Sequence, residues 1–179
     1  MGSQSADRFF PGGDPTEAWD NVAMPLNRVA TVQLVNAMTF RATTASGHQL
    51  VMDSSPEVGG TESGARPMEL LMAGLGGCTG MDVISILRKM RQDITSYEVR
   101  ISGERAQEHP KIFTHILVEH VVRGRQLKVD SIKHAVELSA TRYCPAAAML
   151  GHAAHIEHTY RVVDAETNQE QTGTLSVSA

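Results

Sequence analysis

The chain has 179 residues, 41% of them hydrophobic, which is enough for one well-buried core. Its formal net charge of -4, pI near 6.0 and absence of any long block of like charges argue against a nucleic-acid partner and leave small molecules as the expected ligands. No run reaches the roughly 18 uninterrupted apolar residues of a spanning segment, and the N-terminus lacks the charged-then-apolar order of a signal peptide, so a cytoplasmic location with no membrane partner is expected.

Residues 1–27 carry Gly2, Pro11, Gly12, Gly13, Pro15 and Pro25 with little periodicity and read as a weakly structured extension ahead of one domain over 28–179. From Arg28 the alternation of Val29, Thr31, Gln33 and Val35 against Ala30, Val32 and Leu34 predicts a strand with one buried face. Strands over 38–43 and 48–52 follow, joined at Ala45-Ser46-Gly47, and together they predict an antiparallel meander. Residues 53–66, with Pro56, Gly59, Gly60 and Gly64, read as a loop.

Pro67 suits the first turn of a helix, because its missing amide would be unpaired there anyway. A long helix to about Arg91 is expected, apolar on several flanks through Met72, Leu75, Met81, Val83, Ile86 and Leu87, and therefore largely buried. Strands over 96–104 and 113–122 come next, then a helix from Ser131 to about Arg142 capped by Asp130. A short helix then starts at Cys144-Pro145, and a last strand covers 156–163. The order βββ, α, ββ, αα, β predicts an α+β fold.

Two cysteines are too few for a disulfide scaffold in a chain of this size, so a chemical role is expected for Cys78 and Cys144. Four glycines surround Cys78, at 74, 76, 77 and 80, although each costs up to about 1 kcal/mol in a helix. They predict a close approach of another backbone near the thiol, or simply tight packing around an inert buried cysteine. Cys144, at the N-cap before Pro145, is expected to have its pKa lowered by the free amides and dipole of the helix. His152, His155 and His158 are closely spaced, but no CxxC or HExxH pattern accompanies them, and no metal or bound cofactor is expected. His115 and His120, at odd separation in one strand, point to opposite faces.

The stretch Pro67-Met68-Glu69-Leu70 through Gly76-Gly77-Cys78, its continuation Asp82-Val83-Ile84-Ser85, and Ser139-Ala140-Thr141-Arg142-Tyr143-Cys144-Pro145, with the cysteines 66 residues apart, resemble the two cysteine motifs of the OsmC/Ohr family. That family comprises osmotically inducible protein C and the organic hydroperoxide resistance proteins. Ala45-Ser46-Gly47-His48-Gln49 is similar to its YhfA-like branch. The resemblance implies an OsmC-like fold, with antiparallel sheets around a long central buried helix, in an intertwined homodimer. It also implies a thiol peroxidase for organic hydroperoxides. Cys78 would become a sulfenic acid, Cys144 would form a disulfide with it, and an external dithiol, a lipoyl group in relatives, would reopen the bond. The chain departs from the hydroperoxide-resistance pattern in having Met68 where a glutamate is usual, with Glu69 one position later. Arg41 is merely the nearest counterpart of that pattern's arginine. Glu69 is expected to favour the helix dipole, and Arg41 to be a strand-surface residue. A non-catalytic dimer binding a small hydrophobic ligand is the alternative.

Overall fold

A computed structural model describes residues 27–175, so most of the expected N-terminal extension lies outside it. Within the span read from sequence as one domain, the chain forms two compact units, one up to Gly64 and one from Ala65. The N-terminal unit is an antiparallel sheet of β1 (Ala30–Asn36), β2 (Thr39–Thr44) and β3 (Gln49–Met52). Gly47 takes φ +84° in the β2–β3 turn, a conformation that side-chain-bearing residues rarely adopt. After β3 the buried Asp53 ties the loop together. Its carboxylate accepts from Ser54 N–H, and from both the amide and the hydroxyl of Thr61 and of Ser63, at 2.7–3.1 Å. These donors hold the carboxyl well below its usual range. All seven residues of β1 are exposed, so among the described residues its expected buried face is not covered.

The second unit begins with α1 (Pro67–Lys89). Its start is a capping box: Arg66 N–H donates to Glu69 Oε2 at 2.9 Å, and Pro67 takes the first helical position. The helix ends two residues short of expectation, because Arg91 turns to φ +56°. By length and composition α1 could cross a bilayer, but one flank of it, through Leu75, Thr79, Val83 and Leu87, is buried in the protein.

That flank packs on a four-stranded sheet in the order β4 (Asp93–Arg105), β5 (Phe113–Arg125), β6 (His155–Asp164) and β7 (Glu170–Leu175). β7 was not anticipated from sequence. The expectation of antiparallel sheets is corrected at one place: β5 and β6 run parallel, joined by a crossover that contains the other helices of the second unit. The crossover comprises α2 (Val129–Leu138), a π-helical turn (Ser139–Tyr143) and α3 (Pro145–Leu150). Lys128, not Asp130, is the N-cap of α2, and Asp130 sits in the first turn. The physical reason is packing: Leu127 and Val129 fit against the core, which draws the helix start upstream.

The core has two clusters. Val83, Leu87, Val122, Ile132, Val136 and Val162 make one, and Leu75, Ile116, Val118, Cys144, Ala147 and Ala154 make the other, with Cys78 against it. At about 1.5–3 kcal/mol for each fully buried aliphatic side chain, these contacts hold α1 and the crossover on the sheet. The opposite sheet face is polar, with Glu119 bridging Arg100 and Arg161.

Candidate active site

Cys78 lies midway along α1 and Cys144 lies at the start of α3, and the fold brings them together. Cys78 is partly buried and packs on the cluster that contains Cys144, which is only 4% exposed. Both are free thiols.

The glycines divide into two kinds. A Cβ on Gly76 would stand 3.1 Å from Ile101 Cδ1, and one on Gly80 would stand 3.4 Å from Val99 Cγ2, so these two let α1 lie close on β4. Gly74 and Gly77 meet nothing within 4 Å, so the expected close approach does not extend to them within this chain. They belong to an exposed stripe of α1 with Leu71 and Met81, the latter 74% exposed.

Cys144 is placed by a turn whose signature was missed in the sequence. The π turn returns the Cys144 N–H to Ser139 O at 3.0 Å, and Ala147 N–H donates to Cys144 Sγ at 3.4 Å. Ser139, fully buried, is pinned in turn to α1: its hydroxyl is 2.8 Å from Thr79 Oγ1 and donates to Asp82 Oδ2 at 3.1 Å. Thr79 adjoins Cys78, so one buried hydrogen-bonded clamp fixes the spacing of both thiols. Asp82, one helical turn after Cys78, is engaged by this clamp. The signal available in the sequence was a serine and a threonine inside otherwise apolar helical faces, where an unpaired hydroxyl would be costly.

The expected lowering of the Cys144 pKa is reversed. Burial pushes this thiol up to about 11, and although the Ala147 amide opposes that shift, the contact with Cys78 adds to it. α3 is six residues long, and its dipole does not outweigh removal from water. Cys144 is therefore a thiol at neutral pH.

Glu69 lies in the α1 cap, paired with Arg66 at 3.3 Å. Arg41 is an exposed residue in the middle of β2, in register with Gln33 and Val51. His115 and His120 do face opposite ways: His115 pairs with Glu157 at 3.5 Å and stacks on His155, while His120 is fully buried. Sequence reasoning missed a buried row in which Tyr97 Oη is 2.7 Å from His120 Nδ1, and His120 Nε2 is 3.4 Å from His158 Nδ1. Its signal was a histidine at the alternation parity of Val118 and Val122, on the apolar face of β5.

This α+β arrangement, with a thiol from a long sheet-packed helix against a second thiol delivered by the β5–β6 crossover, defines the class of fold. The OsmC family model, described as OsmC-like protein, matches residues 60–159. Protein YhfA of Escherichia coli strain K12 is 43% identical over 136 residues, covering 76% of this chain and 98% of YhfA. Among solved structures, a protein of Aquifex aeolicus VF5 superposes with a TM-score of 0.69 at 29% identity, covering 80% of this chain and 100% of that one. An organic hydroperoxide resistance protein from Elizabethkingia anophelis shares the fold, with a TM-score of 0.55 at 14% identity over 76% of this chain and 98% of that one. The chain belongs to the OsmC-like family.

Proposed function

We propose that the chain is a cytoplasmic thiol peroxidase that reduces organic hydroperoxides to alcohols in defence against peroxide stress. The observation that carries this reading is the packing of Cys78 on the core cluster that holds the buried Cys144. Family membership, and a fold shared with an organic hydroperoxide resistance protein, support the same redox role.

The Cys78 thiolate attacks one peroxide oxygen. The S–O bond forms as the O–O bond breaks, and the departing alkoxide takes up a proton to become the alcohol. The sulfur of Cys144 then gives up its proton and attacks the sulfenic sulfur, so that an S–S bond forms and the oxygen leaves as water. An external dithiol, of lipoyl type, supplies the two electrons that reopen the disulfide. No bound cofactor enters this cycle. The working unit is a homodimer, supported by the apolar, small-residue stripe that α1 leaves uncovered in one chain.

The test is a pair of variants given cumene hydroperoxide and a dithiol. Cys78→Ser is expected to consume no peroxide, whereas Cys144→Ser should complete one turnover and then stall as a sulfenic acid or higher oxide visible by mass spectrometry. Unchanged multiple turnover in Cys78→Ser would remove the mechanism.

A further inference from the structure

Behind α3 lies a cavity of about 650 Å³, bounded by the π turn, α3, the segment after it and the start of β6. Its walls are largely aliphatic, with Ala147, Ala154 and Ile156 among them. No aspartate, glutamate, lysine or arginine lines it, and His152 and His155 are its exposed imidazoles. One polar side chain reaches it from within the protein: His158, only 2% exposed.

The polarity of that side chain follows from its neighbours. Tyr97, His120 and His158 form a row whose successive ring planes are inclined by only 8° and 16°. Among the described residues, Tyr97 Oη has the single partner His120 Nδ1, and its hydroxyl proton is assigned to that nitrogen. With Nδ1 as acceptor, His120 carries its proton on Nε2 and donates to His158 Nδ1. His158 must then carry its own proton on Nε2. That nitrogen has no protein partner among the described residues, and no buried side-chain nitrogen there lacks one, so Nε2–H opens onto the cavity. The tyrosine thus fixes, through two rings, the presentation of a donor in an apolar chamber.

We propose that this cavity is a binding site for a small uncharged molecule with an apolar body and one oxygen acceptor, a ketone or ester in class, held by His158 Nε2–H. An acceptor in the chamber takes the hydrogen bond of this donor, and the alanine-lined walls take the hydrocarbon part. A carboxylate is disfavoured, since no lysine or arginine lines the chamber to compensate its desolvation. The cavity shares Ala147 with the surroundings of Cys144, but its ligand needs no O–O bond.

The experiment uses 2-heptanone as probe, with heptanoate as its charged counterpart, on the full chain labelled with ¹⁵N at histidine. In the free protein His158 Nε2 is expected to give a protonated, pyrrole-type ¹⁵N signal, which moves saturably as 2-heptanone is added. His158→Phe keeps a ring and removes the donor, and it is expected to weaken 2-heptanone about fivefold to tenfold, the worth of one hydrogen bond. Tyr97→Phe, which alters only one hydroxyl, is expected to turn part of the His158 Nε2 signal pyridine-type. An unprotonated Nε2 in the wild type, no saturable 2-heptanone binding, tighter binding of heptanoate, or equal affinity in His158→Phe would each overturn the proposal.

Discussion

His120 and His158 are held uncharged by burial, which pushes their pKa values down to about 3 and about 4 from the ordinary 6.5, and the neighbouring His158 adds to the shift of His120. In the unfolded chain both rings protonate as the pH drops below about 6.5, whereas in the fold they resist until far lower. Their contribution is therefore complete above that pH and drains as the pH falls toward 4. The loss is at most about 1.4 kcal/mol per pH unit for each ring. Urea midpoints measured between pH 7.5 and 4.5 should fall accordingly, and His120→Phe should flatten the slope. Ser139→Ala should cost about 1–3 kcal/mol, because Thr79 and Asp82 lose a buried partner. In stopped-flow traces it should slow the closing of the disulfide and leave sulfenic acid formation near its wild-type rate. Both cysteines were legible in the sequence, and the fold packs Cys78 on the cluster that holds Cys144. The hydroxyls that hold the π turn on α1 and the buried imidazole row were not. Their roles exist only where β4, β5, α1 and the π turn converge, and no local pattern of residues encodes that convergence.

Most element types could be read from periodicity, and the misses share a cause. The π turn, β7 and the parallel β5–β6 pairing depend on partners distant in sequence. The cap of α2 moved because Leu127 and Val129 found apolar neighbours. In α1 the glycines were correctly seen as unusual, yet two serve the sheet and two face outward. Gly77→Ala separates two descriptions of that outward face. On an open surface the extra methyl should stabilise the helix by up to about 1 kcal/mol. Against a twin helix it should instead raise the dimer dissociation constant, and that is the expected result in sedimentation experiments. Dimerisation as tight as wild type would show that the stripe lies outside the interface.

Taken by itself, the N-terminal sheet presents Val32, Leu34 and Val35 of β1, and Leu50 and Val51 of β3, to solvent, with Leu34 61% exposed. A three-stranded sheet needs cover for its apolar side chains to be stable. If a second copy supplies it, the species in solution should have about twice the mass of 19.4 kDa, and its melting temperature should rise with protein concentration. A monomer with a concentration-independent melting temperature would refute the dimer. The parallel pairing of β5 with β6 has a consequence for the order of assembly. Everything that delivers Cys144 to Cys78 rides in the segment between those strands, and that segment is fastened only when His155–Asp164 docks beside a strand some 40 residues earlier. Such non-local closure is a slow event in folding. While the chain is still emerging or incompletely folded the thiols remain strangers, and under the proposed mechanism an oxidant met at that stage would find Cys78 alone. The slow docking of the penultimate strand thus sets the length of the interval in which the nascent protein is open to irreversible oxidation.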